Sequence, residues 1–161
     1  MLRLTLLRHA KTEPQYSGQK DWDRALEARG QRDAAEMARR LKERKLKPER
    51  ILTSPALRAV STTSVMARVL GVAAGNVLED ERLYLASPRV LLSVIQELGG
   101  TARHLMVVGH NPGITEFGDQ IGAERRLDHM PTCAVYTLQF DLPDWRELIW
   151  ASGVDAEFEY P

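Results

Sequence analysis

The feature that most constrains this chain is an apolar run at its start that ends abruptly in charged and polar residues. Met1 to Leu7 carries a single charge, Arg3, and Arg8 and His9 follow directly. A short continuous apolar run is typical of a strand buried on both faces of a parallel sheet. Ligands of such sheets bind beyond the carboxyl ends of the strands, which favours a functional role for the two residues. An isolated Arg-His pair is as often a chance occurrence as a functional site. Its interpretation therefore depends on motifs elsewhere in the chain.

A second apolar run ends in the same way. The segment from His104 to Val108 predicts a buried strand, and Gly109 and His110 follow it. His110 therefore has the same position relative to its strand as His9 has to the first one. Two imidazoles at equivalent strand ends predict one shared site rather than two unrelated surface histidines.

Segments with helical periodicity alternate with short apolar segments along the chain. Helices are predicted over 27–44, 55–70 and 87–98, and further strands over 51–53, 77–78, 134–140 and 148–151. Ser54 and Ser87, each followed by proline, are predicted N-caps, and Asn111 a third. The last two strands are predicted to form a hairpin, with a loosely held tail after Gly153. The alternation predicts an α/β fold, a three-layer α/β/α sandwich with a mostly parallel central sheet, formed by residues 1–161 as a single domain.

Composition limits the partners and the compartment. Lys plus Arg and Asp plus Glu both total 22, so the formal net charge is zero and no overall field favours nucleic acid or an anionic membrane. The one cysteine, Cys133, cannot form an intrachain disulfide, which indicates a reducing compartment. No apolar run is long enough for a signal peptide or a membrane span. We expect a cytoplasmic protein that binds neither nucleic acid nor membrane, and the oligomeric state stays open.

The candidate site residues are cationic in an otherwise neutral chain. Arg8 and His9 end one strand, His110 ends another, and Arg58 falls in the first turn of a predicted helix. Arginine forks bind phosphate oxygens, and a neutral imidazole beside them can attack phosphorus. The chain has no Walker A motif, no arginine placed to serve Cys133 as a phosphatase nucleophile, and no histidine pair with the spacing of a zinc site. These patterns favour phosphoryl chemistry without a metal.

Three motifs carry a resemblance to a known family: Leu7 to Thr12, Thr53 to Ala59 and Val108 to Gly113. Together and in this order they resemble the histidine phosphatase superfamily, whose fold is phosphoglycerate mutase-like. The small size of the chain and its Gly-His-Asn-Pro-Gly motif are most similar to the SixA-like phosphohistidine phosphatase branch. The resemblance implies a cofactor-independent enzyme that removes phosphoryl groups.

The resemblance also implies roles for individual residues. His9 stands where the family has the nucleophile that is transiently phosphorylated. Arg8, Arg58 and His110 match the phosphate pocket, and Thr12 matches a small hydroxyl that can touch the phosphate.

The proton donor is less constrained by the motifs. Glu81 resembles the acidic residue that serves as general acid in mutase-like members, and it is preferred over Glu79 and Asp80; the alternative is one more solvated charge in an acidic turn. The expected substrate is phosphohistidine in a protein. The alternatives are a small-molecule phosphomonoesterase or mutase and a non-catalytic module that binds phosphorylated partners.

Overall fold

A six-stranded sheet forms the middle layer of the computed structural model, which describes residues 1–161. The strands are β1 (Leu2–Arg8), β2 (Arg50–Thr53), β3 (Val77–Glu79), β4 (His104–Gly109), β5 (Val135–Phe140) and β6 (Val154–Glu159). They lie in the order β3-β2-β4-β1-β5-β6. The first four in this order are parallel, whereas β5 is antiparallel to both β1 and β6. The predicted α/β fold with a mostly parallel sheet is confirmed.

Four helices cover the two faces of the sheet: α1 (Ala28–Glu43), α2 (Leu57–Leu70), α3 (Pro88–Leu98) and α4 (Gly113–Ile121). The apolar residues of α1 and α2 form one core with Leu7 and Met106 of the sheet. Those of α3 and α4 form a second core with Leu4 and Leu6. The molecule is therefore the predicted three-layer sandwich. None of its helices combines the length and the apolar character that crossing a membrane requires.

The central strand β1 owes its position to its apolar side chains. Leu4, Leu6 and Leu7 are fully buried, with side chains in the cores on both sides of the sheet. Burying each such leucine contributes about 1.5–3 kcal/mol relative to leaving it exposed. The strand is thereby held between β4 and β5, and its carboxyl end lies in the middle of the sheet edge.

The C-terminal segment differs from its prediction. No strand forms at 148–151, and the predicted loose tail is β6, the edge strand of the sheet. Two of its three acidic residues are paired, because Arg44, which follows the last residue of α1, contacts both Glu157 and Glu159. Arg40 lies 3.7 Å from the Glu159 carboxylate. The negative charge that suggested a solvated tail is matched by arginines distant in sequence.

Two of the three predicted helix caps are wrong. Ser87 caps α3 as predicted by accepting a hydrogen bond from Val90 N–H. By contrast, α2 begins at Leu57, and α4 has no side-chain cap. The Ser54 hydroxyl accepts from the backbone N–H of Ala56, which precedes α2, and lies 2.7 Å from the His110 ring. The Asn111 side chain donates to the Met130 carbonyl and accepts from a threonine within α4.

The start of α4 depends on a close backbone approach. A Cβ added to Gly113 would lie 1.8 Å from the Ala86 carbonyl oxygen, so no larger residue fits without moving one backbone. We expect Gly113→Ala to lower the free energy of unfolding by at least about 1–3 kcal/mol, the usual cost of overpacking. Gly75→Ala is the control, because nothing lies within 4 Å of an added Cβ there. Urea denaturation of both variants checks this, and equal midpoints would contradict it.

Candidate active site

The two strand-end histidines are brought together by the pairing of β1 with β4. The parallel register places Arg8 opposite Gly109, and the His9 backbone N–H donates to the Gly109 carbonyl at 3.1 Å. Because each histidine follows its strand by one residue, the two rings come close, with centroids 5.2 Å apart between His9 and His110. The two imidazoles therefore lie in one site, as predicted.

A cavity of about 350 Å³ opens where these strands end. It is dominated by charge, with four cationic side chains and a single carboxylate, and five of the predicted site residues lie in its wall. The lining residues are Arg8, His9, Lys11, Thr12, Asp21, Arg24, Arg58, Leu85, His110, Asn111 and Thr132. In a chain of zero net charge, this concentration of cations makes the cavity suited to a compact anion.

His9 is held as a neutral imidazole in a defined tautomer. Its Nδ1 lies 2.9 Å from the Ala10 carbonyl oxygen, which can only accept, so Nδ1 carries the hydrogen and Nε2 the lone pair. The Thr12 hydroxyl donates to the same carbonyl and lies 3.3 Å from Nδ1. Burial, reinforced by Arg58 and Arg8, lowers the pKa of His9 to about 4. The ring is thus unprotonated near neutral pH and can act as a nucleophile.

His110 is fixed by a serine rather than by a carbonyl. Its Nε2 lies 2.7 Å from the hydroxyl of Ser54, which is fully buried. Burial, together with the nearby His9 and Arg58, lowers the pKa of His110 to about 3. Its Nδ1 is buried and has no hydrogen-bond partner.

The two predicted phosphate-binding arginines are oriented by contacts outside the motifs. Arg8 Nη1 donates to the Met130 carbonyl at 3.1 Å. Arg58 is only 3% exposed, and both ends of its guanidinium fork donate to Asp21, Nη1 to the backbone carbonyl at 2.8 Å and Nη2 to the carboxylate at 2.9 Å. The Nε atom of each arginine is buried without a partner.

Asp21 is a site residue that no motif in the sequence reveals, and it lies in a short 3-10 turn formed by Asp21–Asp23. Its carboxylate accepts hydrogen bonds from Tyr84 at 2.5 Å, Arg24 at 3.0 Å and Arg58. Partial burial alone would raise the pKa of this carboxyl, but the three donors hold it well below its usual range. Asp21 is therefore an ionised acceptor. No periodicity marks a residue of this kind, because its partners lie in three separate segments.

Unpaired buried polar atoms are concentrated in residues that line this cavity. Four buried side-chain nitrogen or oxygen atoms in the chain have no hydrogen-bond partner: Arg8 Nε, Arg58 Nε, His110 Nδ1 and Asp33 Oδ2. Three of the four belong to residues that line the cavity. Buried polar groups are nearly always paired in folded proteins, so the three nitrogens point to an oxyanion as the missing acceptor.

The structure does not bring Glu81 into the cavity wall. It is exposed in a short 3-10 turn formed by Glu81–Leu83, beside Tyr84, which does contact Asp21. The neighbouring carboxylate of Asp80 is paired with Arg82. The general-acid role of Glu81 stays a prediction.

Two further residues of types that can carry chemistry, His104 and Cys133, are buried outside the cavity wall. His104 is buried, with Nε2 2.8 Å from the Thr5 hydroxyl. Cys133 is fully buried, and burial raises the pKa of its thiol to about 12. Its backbone N–H donates to the carbonyls of Arg8 and His9, so the residue stabilises the end of β1 without exposing its sulfur.

The sheet order and the paired strand-end histidines define an α/β/α protein of the phosphoglycerate mutase-like class. The family model of the histidine phosphatase superfamily (branch 1) matches residues 4–84. The chain belongs to this superfamily. An uncharacterised chloroplastic protein of Arabidopsis thaliana is 32% identical to it over 168 residues, covering 94% of this chain and 72% of the relative.

Solved structures place the chain near the SixA branch. A structure assigned to phosphohistidine phosphatase SixA of Agrobacterium tumefaciens is 28% identical, with a TM-score of 0.83 over 99% of this chain and 98% of that one. The protein histidine phosphatase SixA complexed with tungstate is 20% identical, with a TM-score of 0.81 over 99% and 95%. The expected superfamily and its SixA-like branch are confirmed.

The lowered histidine pKa values predict a stability that depends on pH. An unfolded histidine binds a proton near pH 6.5, whereas His9 and His104 bind one only near pH 4, and His110 near pH 3. The unfolded state therefore binds more protons between these values, and stability falls as pH drops from about 6.5 toward 4. Each group contributes up to about 1.4 kcal/mol per pH unit. Urea denaturation from pH 7 to pH 4.5 checks this, with a shallower slope expected for His9→Gln; identical slopes for the two proteins would contradict it.

Proposed function

We propose that this protein is a phosphatase that removes a phosphoryl group from phosphohistidine in a protein, through a transient phosphoryl group on His9. The observation that carries the proposal is the neutral His9 ring in a cavity whose Arg8, Arg58 and His110 side chains each retain a buried, unpaired nitrogen. A phosphoryl group bears three oxygens that could accept hydrogen bonds from these three side chains. The likeness to SixA structures supports the same activity.

The proposed reaction has two displacements at phosphorus. In the first, the lone pair on His9 Nε2 forms a bond to phosphorus while the bond from phosphorus to the substrate nitrogen breaks, and its electron pair stays on that nitrogen. In the second, a water oxygen bonds to phosphorus, the bond to Nε2 breaks and inorganic phosphate leaves. Arg8, Arg58 and His110 stabilise the charge on the equatorial oxygens in both steps.

The ionised state of Asp21 supports phosphohistidine over an alkyl phosphate as substrate. Asp21 is the one carboxylate in the cavity wall, and its low pKa prevents it from donating a proton to a leaving group. An alkoxide needs such a proton to depart, whereas an imidazole whose second nitrogen is protonated departs as a neutral ring. A cavity without a protonated carboxylic acid therefore suits a phosphorus–nitrogen bond.

The alternative of a small-molecule phosphomonoesterase has less support. Pockets that hold small organic ligands are lined mostly by apolar and aromatic side chains. Leu85 is the one hydrophobic residue in the wall of this cavity, so little of it could bind the organic part of a small substrate.

His9→Ala is expected to abolish turnover without unfolding the protein, because the ring contributes to a cavity rather than to either core. The wild type should release phosphate from a phosphohistidine peptide and, after brief incubation and an alkaline quench, carry an acid-labile phosphoryl group on His9. His129→Gln is the control, since His129 is exposed and lies outside the site. A label found on serine, aspartate or Cys133 would rule the mechanism out.

Glu81→Gln tests the remaining candidate for a general acid. If Glu81 donates a proton, alkyl phosphate hydrolysis should fall by about a hundredfold to ten-thousandfold. Hydrolysis of p-nitrophenyl phosphate should fall little, and phosphohistidine hydrolysis should stay largely intact, because both leaving groups depart easily. Glu79→Gln, an exposed neighbour, is the matched control. Negligible and equal losses on all three substrates would show that Glu81 is a solvated charge.

A further inference from the structure

Leu85 lies at the mouth of the active-site cavity in a conformation that leucine rarely adopts. Its φ is +50°, in the left-handed region where a residue with a Cβ is disfavoured relative to glycine or asparagine. Its side chain is 55% exposed, and it is the only hydrophobic side chain in the wall of an otherwise polar cavity. The residue is thus unfavourable on two counts, backbone strain and exposed apolar surface.

The backbone on both sides of Leu85 is fixed by other contacts. Tyr84 donates its hydroxyl hydrogen to Asp21, and Ala86 is buried with its carbonyl against Gly113. The left-handed residue thus lies between two residues that are held by contacts of their own. Core packing does not explain leucine at this position, because the residue is 55% exposed and belongs to neither core.

The polar cavity suits one part of a phosphorylated substrate and not the other. The phosphoryl group matches the arginines and histidines within, whereas the remainder of the substrate must lie at the mouth, where Leu85 offers the available apolar contact. Leu57, which precedes Arg58 in the chain, is also 42% exposed. A protein substrate presents side chains beside its phosphorylated residue, and an apolar one among them would bury the exposed part of Leu85.

We propose that Leu85 is a specificity-determining residue, which packs against an apolar side chain flanking the phosphorylated residue of a protein substrate. This inference rests on the proposed function and adds to it a preference for sequence around the phosphohistidine. Contact of the leucine side chain with substrate would offset the cost of its strained, exposed position.

The test compares three probes: phosphohistidine itself, a peptide with glycines on both sides of phosphohistidine, and the same peptide with leucines there. Leu85→Asn removes the apolar side chain and suits the left-handed conformation. Lys45→Asn is the matched control, because Lys45 is exposed with a φ of +58° but lies outside the cavity. Leu85→Met keeps an apolar side chain at the site.

We expect the wild type to prefer the leucine-flanked peptide over the glycine-flanked one by about fivefold in kcat/KM, mainly through KM, the gain from burying roughly half a leucine side chain. Leu85→Asn should remove this preference, lower kcat/KM most for the leucine-flanked peptide, and keep or raise Tm. Lys45→Asn and Leu85→Met should keep the preference.

Two results would overturn the inference while leaving the phosphatase activity standing. One is a wild type that hydrolyses both peptides equally well. The other is a Leu85→Asn variant that loses Tm and slows on all three probes alike, which would make Leu85 a structural residue. A wild type that hydrolyses none of the probes would refute the proposed function, and this inference with it.

Discussion

The register between β1 and β4 is the constraint on which the site depends. Parallel pairing places Arg8 level with Gly109, so the residues that follow, His9 and His110, leave the sheet side by side. A slip of one residue would turn every side chain of β1 to the opposite face and separate the two rings. The buried leucines of β1 oppose such a slip through packing, because each would have to fit a space in the other core that is filled by different side chains. Core packing and catalytic geometry are thus specified by the same seven residues.

A second set of contacts adjusts the charge of the cavity. Asp21 lies in a surface loop, yet its carboxylate engages Arg58, Arg24 and Tyr84 together. It holds the fork of Arg58 in one orientation and offsets part of the positive charge that four cations would otherwise concentrate. The Tyr84 ring also lies edge-on to His110, at 5.5 Å between centroids. The loop therefore contributes both orientation and charge balance to the motif residues.

Much of the fold and the centre of the site could be predicted because they depend on patterns local in sequence. Apolar runs predicted β1 and β4. The position of a histidine just after each run predicted that His9 and His110 belong to the site. Asp21 and the Ser54–His110 contact could not be predicted in this way, because their partners are chosen by tertiary packing. For the same reason β6 was missed: its acidic side chains suggest a solvated tail until Arg44 is placed beside them. Ser54 was assigned a cap by its local sequence, but the buried imidazole nearby offers its hydroxyl a different partner.

The burial of Cys133 has a consequence for the chemistry next to it. This thiol adjoins the backbone of His9, but burial keeps it protonated and away from solvent. Oxidants such as peroxide attack thiolates that are exposed, and they inactivate phosphatases whose nucleophile is a low-pKa cysteine. A site that relies on an imidazole, with its nearest sulfur withheld in this manner, contains no group that mild oxidation would convert. The proposed phosphoryl transfer at His9 therefore does not depend on the oxidation state of a thiol.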